Sequence, residues 1–109
     1  MDTKARELFG ARARVIKAVA HPASLLMVDE LSRGPRCVCE LAGMVGADVS
    51  TVSKHLNVLR TAGILNCEKR GLQVFYSLKC PCIMQFFACV ETVLRTNARE
   101  QAALVGTRR

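Results

Sequence analysis

The spacing of apolar residues predicts two helices at the start of the chain. A helix at about 3–20 is indicated by apolar residues at helical intervals, which are Leu8, Ala11, Val15 and Val19. Pro22 favours a new start, because the N–H that proline lacks would have no partner in a first helical turn. The second helix is expected at about 22–32, with a buried side formed by Leu25, Leu26, Val28 and Leu31.

The next segment predicts a helix-turn-helix motif at about 37–62. Its first helix, at about 37–45, has an inward side formed by Val38, Leu41, Ala42 and Val45. Gly46 suits the left-handed residue that ends a helix, and Asp48 suits the N-cap of the next one. The second helix, at about 49–62, has apolar residues at helical spacing, which are Val52, Leu56 and Leu59. A short helix, a tight turn with glycine and a longer helix are typical of this motif.

After Gly63 the pattern changes to the one expected for strands. Residues 64–69 and 73–78 predict two strands joined by a turn, which would form a hairpin wing at about 64–78. A last helix with a broad apolar stripe is expected at about 82–104, followed by a frayed tail at 106–109. The predicted fold class is therefore mainly α (α+β). It is a single winged helix-turn-helix domain over residues 1–109, in the element order ααααββα.

Charge and surface chemistry favour double-stranded DNA as a partner. The chain has 16 Lys and Arg against 9 Asp and Glu, a net charge of +7, and a small basic domain most often binds a polyanion. The second helix of the motif presents polar and basic groups of the kinds that reach bases and phosphates. The predicted DNA contacts are Ser50, Thr51, Ser53, Lys54, His55, Asn57 and Arg60, with Lys69 and Arg70 at the tip of the wing. An ordinary solvated helix face is the alternative.

Other classes of protein are not favoured by the sequence. No apolar run reaches the length of about 18 residues that a membrane span needs. Charged residues among the first twenty positions leave no room for a signal peptide, so a cytoplasmic location without a membrane partner is expected. The chain shows no glycine-rich phosphate loop, paired catalytic carboxylates or nucleophile–base set. We therefore expect neither an enzyme nor an organic cofactor.

Cysteine placement points to thiol chemistry. Of the six cysteines, four form two Cys-x-Cys pairs, Cys37 with Cys39 and Cys80 with Cys82, and thiolates select soft metal ions. Residues two apart in a helix point about 200° apart. The first pair can therefore share an ion only if Cys37 lies before its helix or in the first turn. Two further cysteines are predicted to be packing residues, and one histidine is predicted to cap a helix; these are Cys67, Cys89 and His21.

Three segments of this chain resemble the ArsR/SmtB family of metal- and metalloid-responsive repressors: 20–23, 37–42 and 49–65. The resemblance covers about residues 5–96 and implies a homodimer joined through its first and last helices, released from operator DNA by an inducer. The Cys-Val-Cys-Glu-Leu segment at 37–41 resembles the inducer site of the arsenite- and cadmium-responsive branches. It implies As(III), Sb(III), Cd, Pb or Zn as the inducer, bound by Cys37 and Cys39. The Cys80-Pro81-Cys82 segment is the best source in this sequence for a further ligand, which makes Cys80 and Cys82 candidate ligands as well.

The sequence departs from the arsenite pattern, because Ala42 and Gly43 occupy the region of the third expected thiolate. Cys80 and Cys82 either complete the site, within or across protomers, or form a second one. Two other functions remain open. One is a redox-responsive repressor that uses cysteine oxidation, and the other is a protein-interaction module stabilised by zinc.

Overall fold

The computed structural model describes residues 1–106 as five helices and a three-stranded sheet. The predicted frayed tail at 106–109 was wrong at Gly106, which belongs to the last helix, and its residues 107–109 lie outside the described residues. The elements in chain order are α1 (Thr3–Val19), α2 (Pro22–Leu31), β1 (Arg36–Cys37), α3 (Val38–Val45), α4 (Val49–Thr61), β2 (Leu65–Arg70), β3 (Gln73–Leu78) and α5 (Ile83–Gly106). The order of helices and the hairpin agree with the predicted winged helix-turn-helix. Gly46 ends α3 in the left-handed conformation, at φ 76°, as its sequence position predicted.

The sheet contains one strand that the sequence pattern did not predict. Its strands are antiparallel in the order β1–β3–β2, and β1 pairs Arg36 with Tyr76 and Cys37 with Phe75. Because β1 has only two residues, it has no periodicity to detect, and its conformation depends on contact with β3. The predicted helix start at residue 37 was therefore one residue early, and α3 is joined directly to the wing by backbone pairing.

The core lies where α2, α3, α4 and the sheet meet. Its fully buried side chains include those predicted at the centre of α4, which are Val52, Leu56 and Leu59. The prediction for α2 was wrong in part, because Leu25 and Leu26 are 42% and 44% exposed, whereas Met27 is fully buried. Apolar residues surround this helix, so the sequence did not indicate which of its sides faces the core.

Helices α1 and α5 leave apolar surface uncovered. No residue of α5 is buried, and its Val93 and Leu94 are 57% and 60% exposed. A groove of about 420 Å³ separates α5 from α1 and α2, lined mainly by apolar side chains such as Ile16, Leu25 and Val90. The chain thus presents one continuous apolar surface that its own elements do not cover. None of the helices within residues 1–106 is long and apolar enough to cross a membrane.

Candidate nucleic-acid interface and thiol site

The predicted DNA-contacting face of α4 is a solvent-facing surface on a firmly packed helix. Buried Val52, Leu56 and Leu59 hold one side of α4 in the core. On the other side, five of the predicted residues are exposed, which are Ser50, Thr51, Lys54, Asn57 and Arg60. Ser53 and His55 are half-buried. This arrangement leaves the side chains near the start of α4 free to enter a major groove.

Two histidines connect α4 to the start of α2. His21 is the N-cap of α2, and its Nδ1 accepts a hydrogen bond from the Ala23 N–H at 3.0 Å, which confirms its prediction as a cap. The ring centroids of His21 and His55 are 4.4 Å apart. His55 therefore packs against α2 while remaining next to the exposed Lys54.

The cations on α4 and the wing differ in whether they already interact with other side chains of the chain. At the wing, Arg70 forms a 3.1 Å ion pair with Glu68, and its guanidinium lies 4.8 Å from the centre of the Phe75 ring. Arg60 donates a 2.8 Å hydrogen bond to the side-chain oxygen of Asn57. Lys54 and Lys69 are exposed and have no ion pair within residues 1–106. These two lysines are therefore the cations most available to DNA phosphates.

Cys67 lies on the exposed side of the wing and not in the core, so its prediction as a buried packing residue was wrong. Strand β2 is at the edge of the sheet, and its residues after Leu65 are exposed. Cys67 pairs with Tyr76 across β2 and β3. Burial raises the pKa of the Tyr76 phenol, and so does its side-chain hydrogen bond with Cys67.

Cys37 is held at the junction between β1 and α3. It is 6% exposed and forms the N-cap of α3, so it lies before the helix as a shared ion with Cys39 would require. Its thiol donates to Glu40 Oε1 at 3.2 Å, and its backbone N–H donates to the same oxygen at 3.2 Å. A single carboxylate oxygen therefore holds both the sulfur and the backbone of Cys37.

Glu40 also belongs to a chain of ion pairs, which we call the charged cluster; it consists of Asp29, Glu30, Arg33, Arg36 and Glu40. Arg36 donates to Glu40 at 3.0 Å and to Glu30 on α2 at 3.0 Å. Arg33 extends the cluster to Glu30 and Asp29. The hydrogen bonds from Cys37, followed by the one from Arg36, lower the pKa of Glu40. The pKa of Arg36 is raised, and the main cause is the hydrogen bond that Arg36 donates to Glu40.

The four cysteines predicted to bind metal do not meet within one chain. Cys39 and Cys82 are exposed, and the half-buried Cys80 thiol donates to the Gly63 carbonyl at 3.4 Å. Cys37 lies opposite Phe75 in the sheet. Strand β3 continues from Phe75 for three more residues, about 10 Å, to its end at Leu78, and Cys80 comes only after that end. In the part of the chain that the structure describes, no group of three or more His, Cys, Asp or Glu side chains is placed to hold a metal ion.

Cys89 was predicted to be a buried packing residue, but it is exposed in the single chain. It lies within the apolar stripe of α5, between Phe86 and Val93, which are 39% and 57% exposed. The prediction was wrong for the isolated chain because no element of that chain covers this stripe. The sequence shows that the stripe is apolar but does not show what covers it.

Comparison with known proteins identifies relatives over most of the chain. The model of the bacterial regulatory protein arsR family matches residues 21–66. The transcriptional repressor SmtB of Mycobacterium tuberculosis is 34% identical over 67% of this chain and 54% of its own length, so this chain spans about half of that relative. The biofilm growth-associated repressor of Xylella fastidiosa is 30% identical over 92% of this chain and 84% of its own length.

A solved structure has the same architecture. It is the homodimeric winged helix-turn-helix DNA-binding domain of a possible ArsR-family transcriptional regulator from Mycobacterium bovis. The two chains superpose with a TM-score of 0.77 at 26% identity, over 92% of this chain and 93% of the other. The family model, the relatives and the solved structure all indicate DNA-binding regulators, which agrees with the prediction that the chain is not an enzyme. This chain belongs to the ArsR family, a family of DNA-binding transcriptional regulators and not of enzymes.

Proposed function

We propose that this protein is a transcriptional repressor that binds operator DNA as a homodimer. The observation that carries the proposal is the exposed polar face of α4, held by three buried residues and continued on the wing by exposed Lys69, which has no ion pair with another described residue. The net charge of +7 and the repressor relatives support it. Two such helices in a dimer would enter successive major grooves, about 34 Å apart on an imperfect palindrome.

The uncovered apolar surface of α1 and α5 supports the dimer. Its side chains would face water in a monomer, and a second copy can cover them through the same two helices. The match to a homodimeric domain over 92% of this chain supports the same arrangement. The repressor would then have its DNA-binding faces fixed relative to one another by α1 and α5.

The proposed inducer is a thiophilic ion, As(III) or Sb(III) or a soft divalent ion such as Cd, Pb or Zn, bound by Cys37 and Cys39. Thiolates suit such ions, and Cys37 lies outside the helix where the pair can converge. One chain does not supply three grouped ligands. A further ligand must come from Cys80 or Cys82 of a second copy, or from a change of conformation. The alternative is that the two pairs act as separate sites, and cysteine variants distinguish the two arrangements.

Cys37 and Glu40 supply a physical link between the sulfur and the DNA-binding elements. Any group bonded to the Cys37 sulfur replaces the hydrogen that the thiol donates to Glu40. The carboxylate then loses one of its donors, while it still holds Arg36. Arg36 and Cys37 form β1, which pairs with β3 of the wing. A change at the sulfur therefore reaches the wing through adjacent residues, which gives the two states of the site different affinities for DNA.

Oxidation of the same cysteines is the second candidate, because it would also remove the thiol hydrogen of Cys37. The test is release of the reduced, metal-free protein from a duplex operator, with arsenite or cadmium added under anaerobic conditions. Release supports the ion as the inducer, and release after oxidant alone supports the redox mechanism. A protein that binds no duplex DNA when metal-free would contradict the repressor and favour a zinc-stabilised interaction module.

Cysteine variants assign the site in the same assay. The double variant Cys37→Ser with Cys39→Ser is expected to bind DNA and to lose release by the ion. Cys80→Ser with Cys82→Ser tests the second pair, and Cys67→Ser is the matched control on the exposed wing. A normal response from the 37/39 variant would move the inducer site to residues 80 and 82.

A further inference from the structure

The cations of α1 form no ion pairs with other described residues, unlike most of the arginines elsewhere in residues 1–106. Helix α1 contains five cations and one carboxylate, Glu7; the cations are Lys4, Arg6, Arg12, Arg14 and Lys17. None of the five forms an ion pair within residues 1–106, although Arg12 lies 5.4 Å from the centre of the Phe9 ring. By contrast, Arg33, Arg36, Arg70 and Arg95 are each paired with a carboxylate. Helix α1 therefore has an excess of positive charge that its own fold does not neutralise.

Two of these cations face α4 across a groove. Arg14 and Lys17 line a groove of about 700 Å³ between α1 and α4, together with Asn57 and Thr61. All four residues are exposed. The rest of the lining is small or apolar and includes Val58, which is 52% exposed. The polar and cationic side chains of the groove thus come from both helices.

The groove continues the face of α4 that is proposed to contact DNA. Residues 50, 54, 57 and 61 are three or four positions apart, so they lie along one side of the helix. Thr61 lies about 10 Å along the axis from Lys54, at 1.5 Å per residue. A duplex that contacts Ser50 and Lys54 therefore has phosphates near the position where Arg14 and Lys17 approach α4. Charge complementarity favours a polyanion as the occupant.

We propose that Arg14 and Lys17 bind the DNA phosphate backbone beside the major groove that α4 enters. Helix α1 then belongs to the DNA interface as well as to the dimer. These contacts do not read bases, so they add affinity and fix the orientation of the dimer on DNA. The proposal rests on the proposed function, because it requires α4 to be bound to a duplex.

The test compares the salt dependence of DNA binding between charge-matched variants. Each phosphate contact contributes about 0.9 to the slope of log affinity against log salt concentration. The variant Arg14→Ala with Lys17→Ala loses two contacts per protomer, so the slope for a dimer is expected to fall by about 3.6. The control, Lys4→Ala with Arg6→Ala, removes the same charge from exposed positions outside the groove and is expected to change the slope less. Equal slopes in the two variants would overturn the proposal.

Two further measurements separate this proposal from its alternatives. The charge-preserving variant Arg14→Lys with Lys17→Arg is expected to restore the slope. A failure to restore it would mean that the alanine variant lost its packing or its dimer, and the proposal would be wrong. Unmodified protein that binds the duplex without salt dependence would instead contradict the proposed function itself.

Discussion

The Cys37 thiol and its backbone N–H both donate to one oxygen of Glu40, each at 3.2 Å. The other oxygen of that carboxylate accepts from Arg36 at 3.0 Å. Glu40 thereby connects the Cys37 sulfur to Arg36, the residue that pairs with Tyr76 in the wing. In the proposed function, Cys37 and Cys39 bind the inducer and Glu40 transmits its binding.

Replacing Glu40 with alanine is expected to uncouple inducer binding from DNA release. The variant keeps all of its cysteines, so ion affinity should change little. It lacks the Cys37–Glu40 hydrogen bonds even without an inducer, so its metal-free DNA affinity should shift towards that of the inducer-bound protein. The ratio of DNA affinities without and with inducer, typically about 5- to 150-fold in allosteric proteins, should fall towards one. Fluorescence anisotropy of labelled operator measures this ratio, and Glu91→Ala on α5 is the control. An unchanged ratio would show that the signal does not pass through Glu40.

The chain's one tyrosine, in the absence of tryptophan, reports on the same link. Tyr76 is opposite Arg36 in the sheet, so an inducer that alters β1 should change its fluorescence. We expect a change in the unmodified protein and a much smaller one in Glu40→Ala at equal ion occupancy. Equal fluorescence changes in both proteins would show that inducer binding reaches the wing without Glu40.

Acidification is expected to destabilise the protein partly through Glu40. Its pKa in the fold is lowered from the ordinary value of 4.5, so the charged form is favoured by folding. The resulting stability is fully present above that value and is lost as pH falls through the lower, folded-state pKa. Melting temperatures measured from pH 7 to pH 3 should therefore fall less steeply for Glu40→Gln than for the unmodified protein. Parallel curves would contradict the assignment.

The ion pair between Arg70 and Glu68 is expected to limit the wing's affinity for DNA. Glu68→Gln releases the Arg70 guanidinium and removes a negative charge from each wing, so DNA affinity should rise. The increase for a dimer should stay below about 30-fold, because each of the two exposed ion pairs contributes about 1 kcal/mol or less. Lys54→Ala should lower affinity more than Arg70→Ala does, since Lys54 has no ion pair to lose in the described chain. Titration of one operator with all three variants measures the order.

Variants of α4 and α5 should separate folding from dimerisation. Leu56→Ala is expected to lower the free energy of unfolding by about 2–5 kcal/mol, because Leu56 is fully buried. Val93→Glu changes a side chain that is 57% exposed in the single chain, so helix content should persist while the dimer weakens. Circular dichroism and sedimentation test the two effects. A Val93→Glu protein that remains fully dimeric would exclude this part of α5 from the interface.

Helical periodicity was sufficient to predict the long helices, and the change of pattern after Gly63 with the turn that follows was sufficient to predict the hairpin. Periodicity was insufficient for β1, where two residues take their conformation from β3. It also did not show that Leu25 is exposed, since the apolar residues of α2 are distributed around the helix and do not form one stripe. Capping by His21 followed from the adjacent Pro22, a local signal.

The thiol site was only partly predictable. Cys-x-Cys spacing indicated the sulfur residues, and the structure places Cys37 before α3, where a shared ion with Cys39 would require it. The role of Glu40 depends on Arg36 and Glu30, which come from different elements. A signal for Glu40 did exist in its position three residues after the N-cap, which is that of a capping box. Its contact with the thiol required the three-dimensional arrangement.

The two-residue strand β1 has a consequence for how this regulator can be tuned. Its backbone belongs to the proposed inducer site and to the wing at once, so neither is an independent module. Substitutions at Phe75, which is opposite Cys37, are therefore expected to alter the concentration of inducer needed for a response without changing a proposed ligand or DNA contact. When the hairpin is exchanged between relatives, the inducer concentration needed for a response and the affinity for DNA are therefore expected to change together.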